Sequence, residues 1–154
     1  MRQGSTLFLK LVIYLIGLAV LALCAGAIYV ATFSEVTGYF VPILIGVNIT
    51  AIPFFFALYQ SLLLLQYIDK NIAFSEKSVK AIRNIRYAAF TISALYAAGM
   101  PFIYYAAEMD DAPGAIVVGL VILFAFIVAG VFAAVLQKLL QSAIDIKSEN
   151  DLTV

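Results

Sequence analysis

Lys77, Lys80, Arg83 and Arg86 recur every third residue between two long apolar runs. On a helix that spacing winds four cations along one side. The chemistry open to them is anion binding, to lipid headgroups at a membrane surface or to an acidic patch on a protein. Glu108, Asp110 and Asp111 form a second cluster. Their carboxylate oxygens are of the kind that holds a hard divalent cation, although a solvated acidic turn has the same composition. Asn48, Pro53 and Pro101 form a third group, set within apolar sequence. Each proline leaves one carbonyl four residues earlier, at Ile49 and Ala97, without its helical partner. Nearby Asn48, Thr50, Thr91 and Ser93 could satisfy those carbonyls, so the group reads as a hinge or a small cavity, or as packed kinks.

Other chemistries lack residues. The chain has no His and a single Cys24, so no disulfide framework or Cys/His metal site can be built. No Asp, Glu, Lys or Arg lies near the middle of an apolar run. That removes the usual acid, base and nucleophile sets of an enzyme and the charged relays of a pump. The expectation is a non-enzymatic protein with no cofactor.

The elements that position these residues follow from composition. Of 154 residues 65% are hydrophobic and 12% charged, and mean hydropathy is +1.08. A soluble domain carries about a quarter charged residues, so lipid is the natural solvent here. Four apolar runs are long enough to cross a bilayer core of about 30 Å. They cover about 11-33, 41-68, 87-107 and 115-136, the last continuing as a helical pattern to about 140. Short links, Ser34 to Phe40 and Glu108 to Gly114, make the spans two antiparallel hairpins. The fold class is all-α, an integral membrane four-helix bundle forming a single domain. The tail from Gln141 to Val154 reads as a helix end followed by a disordered polar stub.

Arg2, Lys10 and the small-residue site Ala25-Gly26-Ala27 have the form of a signal peptide, but apolar sequence continues through Phe33 and predicts a retained span. Leu21-Ala22-Leu23-Cys24 approaches a lipoprotein box, but has Leu23 where a small residue is needed.

All nine Lys and Arg residues fall on one side of this plan. Net charge is zero, and the basic residues face a membrane surface as well as the cytosol, so no direct nucleic-acid binding is expected. The positive-inside bias predicts both termini in the cytoplasm. Five of the nine lie between Asp69 and Arg86. Within that segment Ser75 is an expected N-cap, Glu76 complements the helix dipole, and Phe74 is placed to staple onto Val79. An amphipathic helix over about 76-86 follows and leads into the third span. Each basic residue near anionic headgroups contributes about 1 kcal/mol.

Small residues four apart, at Ala22 and Gly26, Ala94 and Ala98, Ala129 and Ala133, and Gly130 and Ala134, permit close packing within the chain or between copies in a homo-oligomer. Tyr29, Phe33, Tyr39, Phe40, Phe102, Tyr104 and Tyr105 sit near outer span ends as an interfacial belt. Phe54-Phe55-Phe56 faces lipid or the core, or lines a hydrophobic ligand site.

Leu62-Leu63-Leu64-Leu65-Gln66-Tyr67-Ile68, then Ala73-Phe74-Ser75, then Val79 through Ile85, resembles the YoaS-like family of small four-span bacterial membrane proteins of unknown function. There a Phe-Ser step leads into a basic helix and the third span. The chain departs from the family pattern at Ser78 and in the string Ala81-Ile82-Arg83-Asn84. The resemblance implies a multi-pass protein of the bacterial cytoplasmic (inner) membrane. It also implies a regulatory partner, because members are often encoded beside a small helix-turn-helix transcription regulator. The sequence reading is therefore a sensing or regulatory protein that anchors such a regulator. The alternative is a small oligomeric transporter or channel using the region of Asn48, Pro53 and Pro101.

The orientation has a direct check. Reporter fusions after Lys70 and after Lys147 should both report cytoplasm, and a fusion at Asp111 the opposite side. A cytoplasmic signal at Asp111 would refute the assignment.

Overall fold

In hydrocarbon a backbone must satisfy its own N–H and C=O groups, and long uncharged runs do so as helices. The computed structural model describes residues 2–33, 35 and 38–153. Four helices account for most of them: α1 (Arg2–Phe33), α2 (Val41–Asp69), α3 (Glu76–Met109) and α4 (Gly114–Thr153). A short 3₁₀ turn, Gly38–Phe40, enters α2. Each of the four is long and apolar enough to cross a membrane. Of the outer link expected at Ser34 to Phe40, Ser34, Val36 and Thr37 lie outside the described residues. Met1, Val154 and the side chains of Arg2, Gln3, Ser5, Tyr39 and Thr153 do so as well.

The close approaches run in chain order: α1 on α2, α2 on α3, α3 on α4. Among the described residues, α1 makes no close backbone approach to α3 or α4. α3 therefore has a neighbour on two sides, and the buried side chains concentrate there. Ser78, Val79, Ala81, Ile82, Ala88, Ala89, Ile92 and Ser93 form a continuous stripe at helical spacing. It is the least apolar of the four helices and the most buried.

Two helix ends share one device. After α2, Asn71 takes a left-handed φ of 62°, its N–H donates to the Ile68 carbonyl and that of Ile72 to Tyr67. After α3, Asp111 takes φ 53°, donating to Glu108, while Ala112 donates to Ala107. Both are Schellman motifs with Asn or Asp where Gly is commoner. They satisfy carbonyls that would otherwise end the helix unpaired, and they turn the chain sharply.

The start of α3 differs from its sequence expectation. Ser75 occupies the N-cap position in extended backbone, yet its hydroxyl accepts no N–H from the first turn. It donates instead to the Ile72 carbonyl at 2.6 Å. Phe74 stays mostly exposed, whereas a closed staple on Val79 would bury it. The tail differs too. α4 continues to Thr153 instead of dissolving after Gln141. Gln141 donates to Asp145 one turn on, at 3.2 Å, and across to Glu76 of α3 at 3.1 Å.

Pro53 and Pro101 both lie inside unbroken helices. Nearby polar side chains do not turn to the carbonyls those prolines free. Asn48 donates to Leu44, Thr50 to Val47, Thr91 to Tyr87 and Ser93 to Ala89. Short polar side chains on a helix reach the carbonyl three or four residues back most easily.

The small-residue pairs divide by location. Gly130 and Ala133 are buried, and a Cβ on Gly130 would come within 2.8 Å of the Phe90 ring on α3. Ala22, Gly26, Ala94, Ala98 and Ala129 are exposed instead. Gly130→Ala should destabilise the fold by about 1–3 kcal/mol, the usual range for overpacking. Thermal unfolding in detergent measures it, and the penalty should shrink in a Phe90→Leu background. Gly119→Ala should cost less, because its nearest neighbour is the flexible Met100 thioether.

Candidate functional site

The basic face begins where α3 is most tightly held. Ser78 and Val79 are fully buried, while Lys77, Lys80 and Arg83 on the turns around them are exposed. Arg86 is half-buried, with its guanidinium 4.8 Å from the centre of the Tyr87 ring. A cation over an aromatic face is attracted by the ring quadrupole and keeps its outer N–H groups for other partners. One helix thus carries both functions: the buried stripe fixes its position, and the cations line the remaining surface. α3 then runs without a break from this face to Met109.

The four ends near this face meet. Thr6 of α1 donates to Asp69 Oδ1 of α2 at 2.6 Å, and Lys10 to Oδ2 at 2.8 Å. Glu76 and Gln141 join α3 to α4. The start of α1, the end of α2, the start of α3 and the distal part of α4 therefore share one end of the bundle. The Thr6–Lys10–Asp69 cluster was not singled out in the sequence. Its signal is present, since Lys10 precedes the first span and Asp69 ends the second, and an antiparallel hairpin brings those two ends together.

The other two predicted groups do not assemble. Asn48 lines a shallow groove between α1 and α2 with Ala27, Ile28 and Ile52. Pro53 and Pro101 contribute to none of the cavities described among these residues. Two cavities involving α2 and α3 are lined by aliphatic and aromatic side chains, with hydroxyls and the Cys24 thiol as their few polar groups. Glu108, Asp110 and Asp111 remain at the α3–α4 turn, and no group of three metal-ligating side chains forms among the described residues.

A family of proteins of unknown function, DUF2975, matches residues 26–154. The chain belongs to this family. It is 58% identical over 160 residues to "Uncharacterized membrane protein YoaS" of Bacillus subtilis (strain 168), with each chain covered in full. That relative is described as a membrane protein, in agreement with four helices of membrane-spanning length and apolarity. No solved structure matches the chain.

Among the described residues, the Asp69 cluster is a side-chain hydrogen-bonded link between α1 and α2. Asp69→Ala should lower the unfolding temperature in detergent and speed proteolysis near the start of α1. Asp69→Asn should lower it less, because an amide oxygen still accepts from Thr6 or Lys10. Equal stability of Asp69→Ala and wild type would show that the cluster contributes nothing.

Proposed function

We propose that this chain is a non-enzymatic sensing or regulatory protein of the bacterial cytoplasmic membrane, with both termini in the cytoplasm. Its output surface is the face formed by Lys77, Lys80, Arg83 and Arg86. One observation carries the reading: the helix bearing these cations continues unbroken through the apolar part of the molecule, wedged between α2 and α4. A change in packing among the spans therefore moves the basic face as a rigid extension of α3. Closely packed helices transmit displacement better than they absorb it. The partner is an acidic surface on a cytoplasmic protein, and the family resemblance favours a small helix-turn-helix regulator. Anionic headgroups occupy the same cations when the partner is absent. The transporter alternative gains no support from the two cavities that involve α2 and α3, which offer an ion or polar solute no charged or amide lining.

Replacing Lys77, Lys80, Arg83 and Arg86 by Gln tests the proposal, after reporter fusions have confirmed unchanged topology. Crosslinking in native membranes followed by affinity capture should recover a cytoplasmic regulator with wild type and lose it at least about tenfold with the variant. That loss corresponds to about 1.4 kcal/mol, within reach of a few charged contacts. Equal recovery from both would rule out docking through this face.

A further inference from the structure

A cavity of about 130 Å³ lies at the centre of the molecule, walled by all four helices. Three aromatic rings shape it. Phe54 meets Phe126 edge-on at 6.3 Å, and Tyr96 stacks on Phe126 at 5.9 Å with 20° between the planes. Cys24 and Thr50 complete the lining used here. A second cavity, about 120 Å³, opens between α2 and α3. Val47, Thr50 and Tyr96 line both, so the two adjoin. Gly46 and Gly99 flank the outer cavity, one on each helix. A Cβ on either would meet nothing within 4 Å. These glycines are thus not placed for close helix packing, as Gly130 is, and leave the passage open.

We propose that the two cavities form one lateral binding site for a neutral lipid with a compact, planar, carbonyl-bearing end group. The planar end sits among Phe54, Tyr96 and Phe126, and the tail leaves between Gly46 and Gly99 into the surrounding hydrocarbon. Four features select this class. The inner volume suits a single ring, since a dry cavity of about 150 Å³ accepts benzene. Its aromatic walls favour a flat partner in offset or edge contact. No Asp, Glu, Lys or Arg lines either cavity, which excludes a charged head. Tyr96 is half-buried and lines both cavities, and no hydrogen bond of its hydroxyl is found among the described residues; a phenol O–H in such apolar surroundings gains from an acceptor such as a ring carbonyl. Thr50 does not compete for that acceptor, because its hydroxyl donates to Val47.

The site is separate from the basic face, so probe binding and regulator capture fail independently. The test uses the full chain in nanodiscs, with a fully substituted benzoquinone carrying a decyl tail as the probe. Full substitution prevents addition of the Cys24 thiol to the ring. Binding above that of empty nanodiscs should be saturable and should slow alkylation of Cys24, the one cysteine of the chain, as read by intact mass. Tyr96→Phe should weaken binding about two- to tenfold, the range for one net hydrogen bond. Gly46→Leu and Gly99→Leu should block it, with circular dichroism checking the fold. Tyr96→Phe changes no shape and keeps the test decisive if the leucine variants misfold. The proposal is wrong if no saturable binding appears. It is equally wrong if a ring-free decyl ester binds as well as the quinone and Tyr96→Phe has no effect. Binding that leaves both Cys24 alkylation and the glycine variants unaffected places the probe elsewhere and also overturns it.

Discussion

Burial of one stripe on α3 is the constraint on which the rest of the molecule depends. The stripe from Ser78 to Ser93 packs between α2 and α4, and no other helix has so many buried side chains. In water such a stripe would be the most apolar surface of the chain. Here it is built from Ala, Ser, Val and Ile on the least apolar helix. Lipid is as apolar as Leu, so exposure to it is no penalty for α1, α2 and α4, and their large side chains point outward in number. Small residues go where backbones must approach, as Gly130 does beneath the Phe90 ring.

That packing also sets the character of the basic face. Were residues 76–86 a free segment lying on the membrane, its cations would follow the lipid surface. As the first three turns of α3, held by Ser78, Val79, Ala81 and Ile82, they follow the transmembrane packing instead. The Schellman turn at Asn71 and the Ser75 hydroxyl on the Ile72 carbonyl fix the approach to this helix. Any sensing by this molecule therefore passes through the relation of α3 to its two neighbours. The central cavity is formed at that same relation, from residues of all four helices.

Candidate residues differed in how legible they were. The stripe of Lys77, Lys80, Arg83 and Arg86 was readable because a three-residue spacing on a helix leaves few places for the side chains to go. Phe54 was noticed within a Phe-rich run, but its partners Tyr96 and Phe126 lie on other helices, and no spacing within one helix predicts that meeting. The prolines were open to two readings. Pro53 and Pro101 could mark a hinge or cavity or packed kinks, and both lie inside unbroken helices and line none of the described cavities. The small-residue pairs were ambiguous too: spacing of four marks a helix face without saying which way it points.

By itself the sequence determined the fold class. Four uncharged runs of membrane-spanning length, with short links between them, allow little besides two helical hairpins, because backbone polar groups in hydrocarbon must be satisfied within each segment. It also located the basic surface, since charge and period are local properties. Tertiary structure alone decided which helix is central, which small residues face inward, how Thr6 and Lys10 meet Asp69, and that three rings line one cavity. Each of these depends on the rotation and register of one helix against another. Those are set by packing among side chains distant in sequence, and hydropathy carries little information about them where lipid and protein interior are nearly equal as solvents.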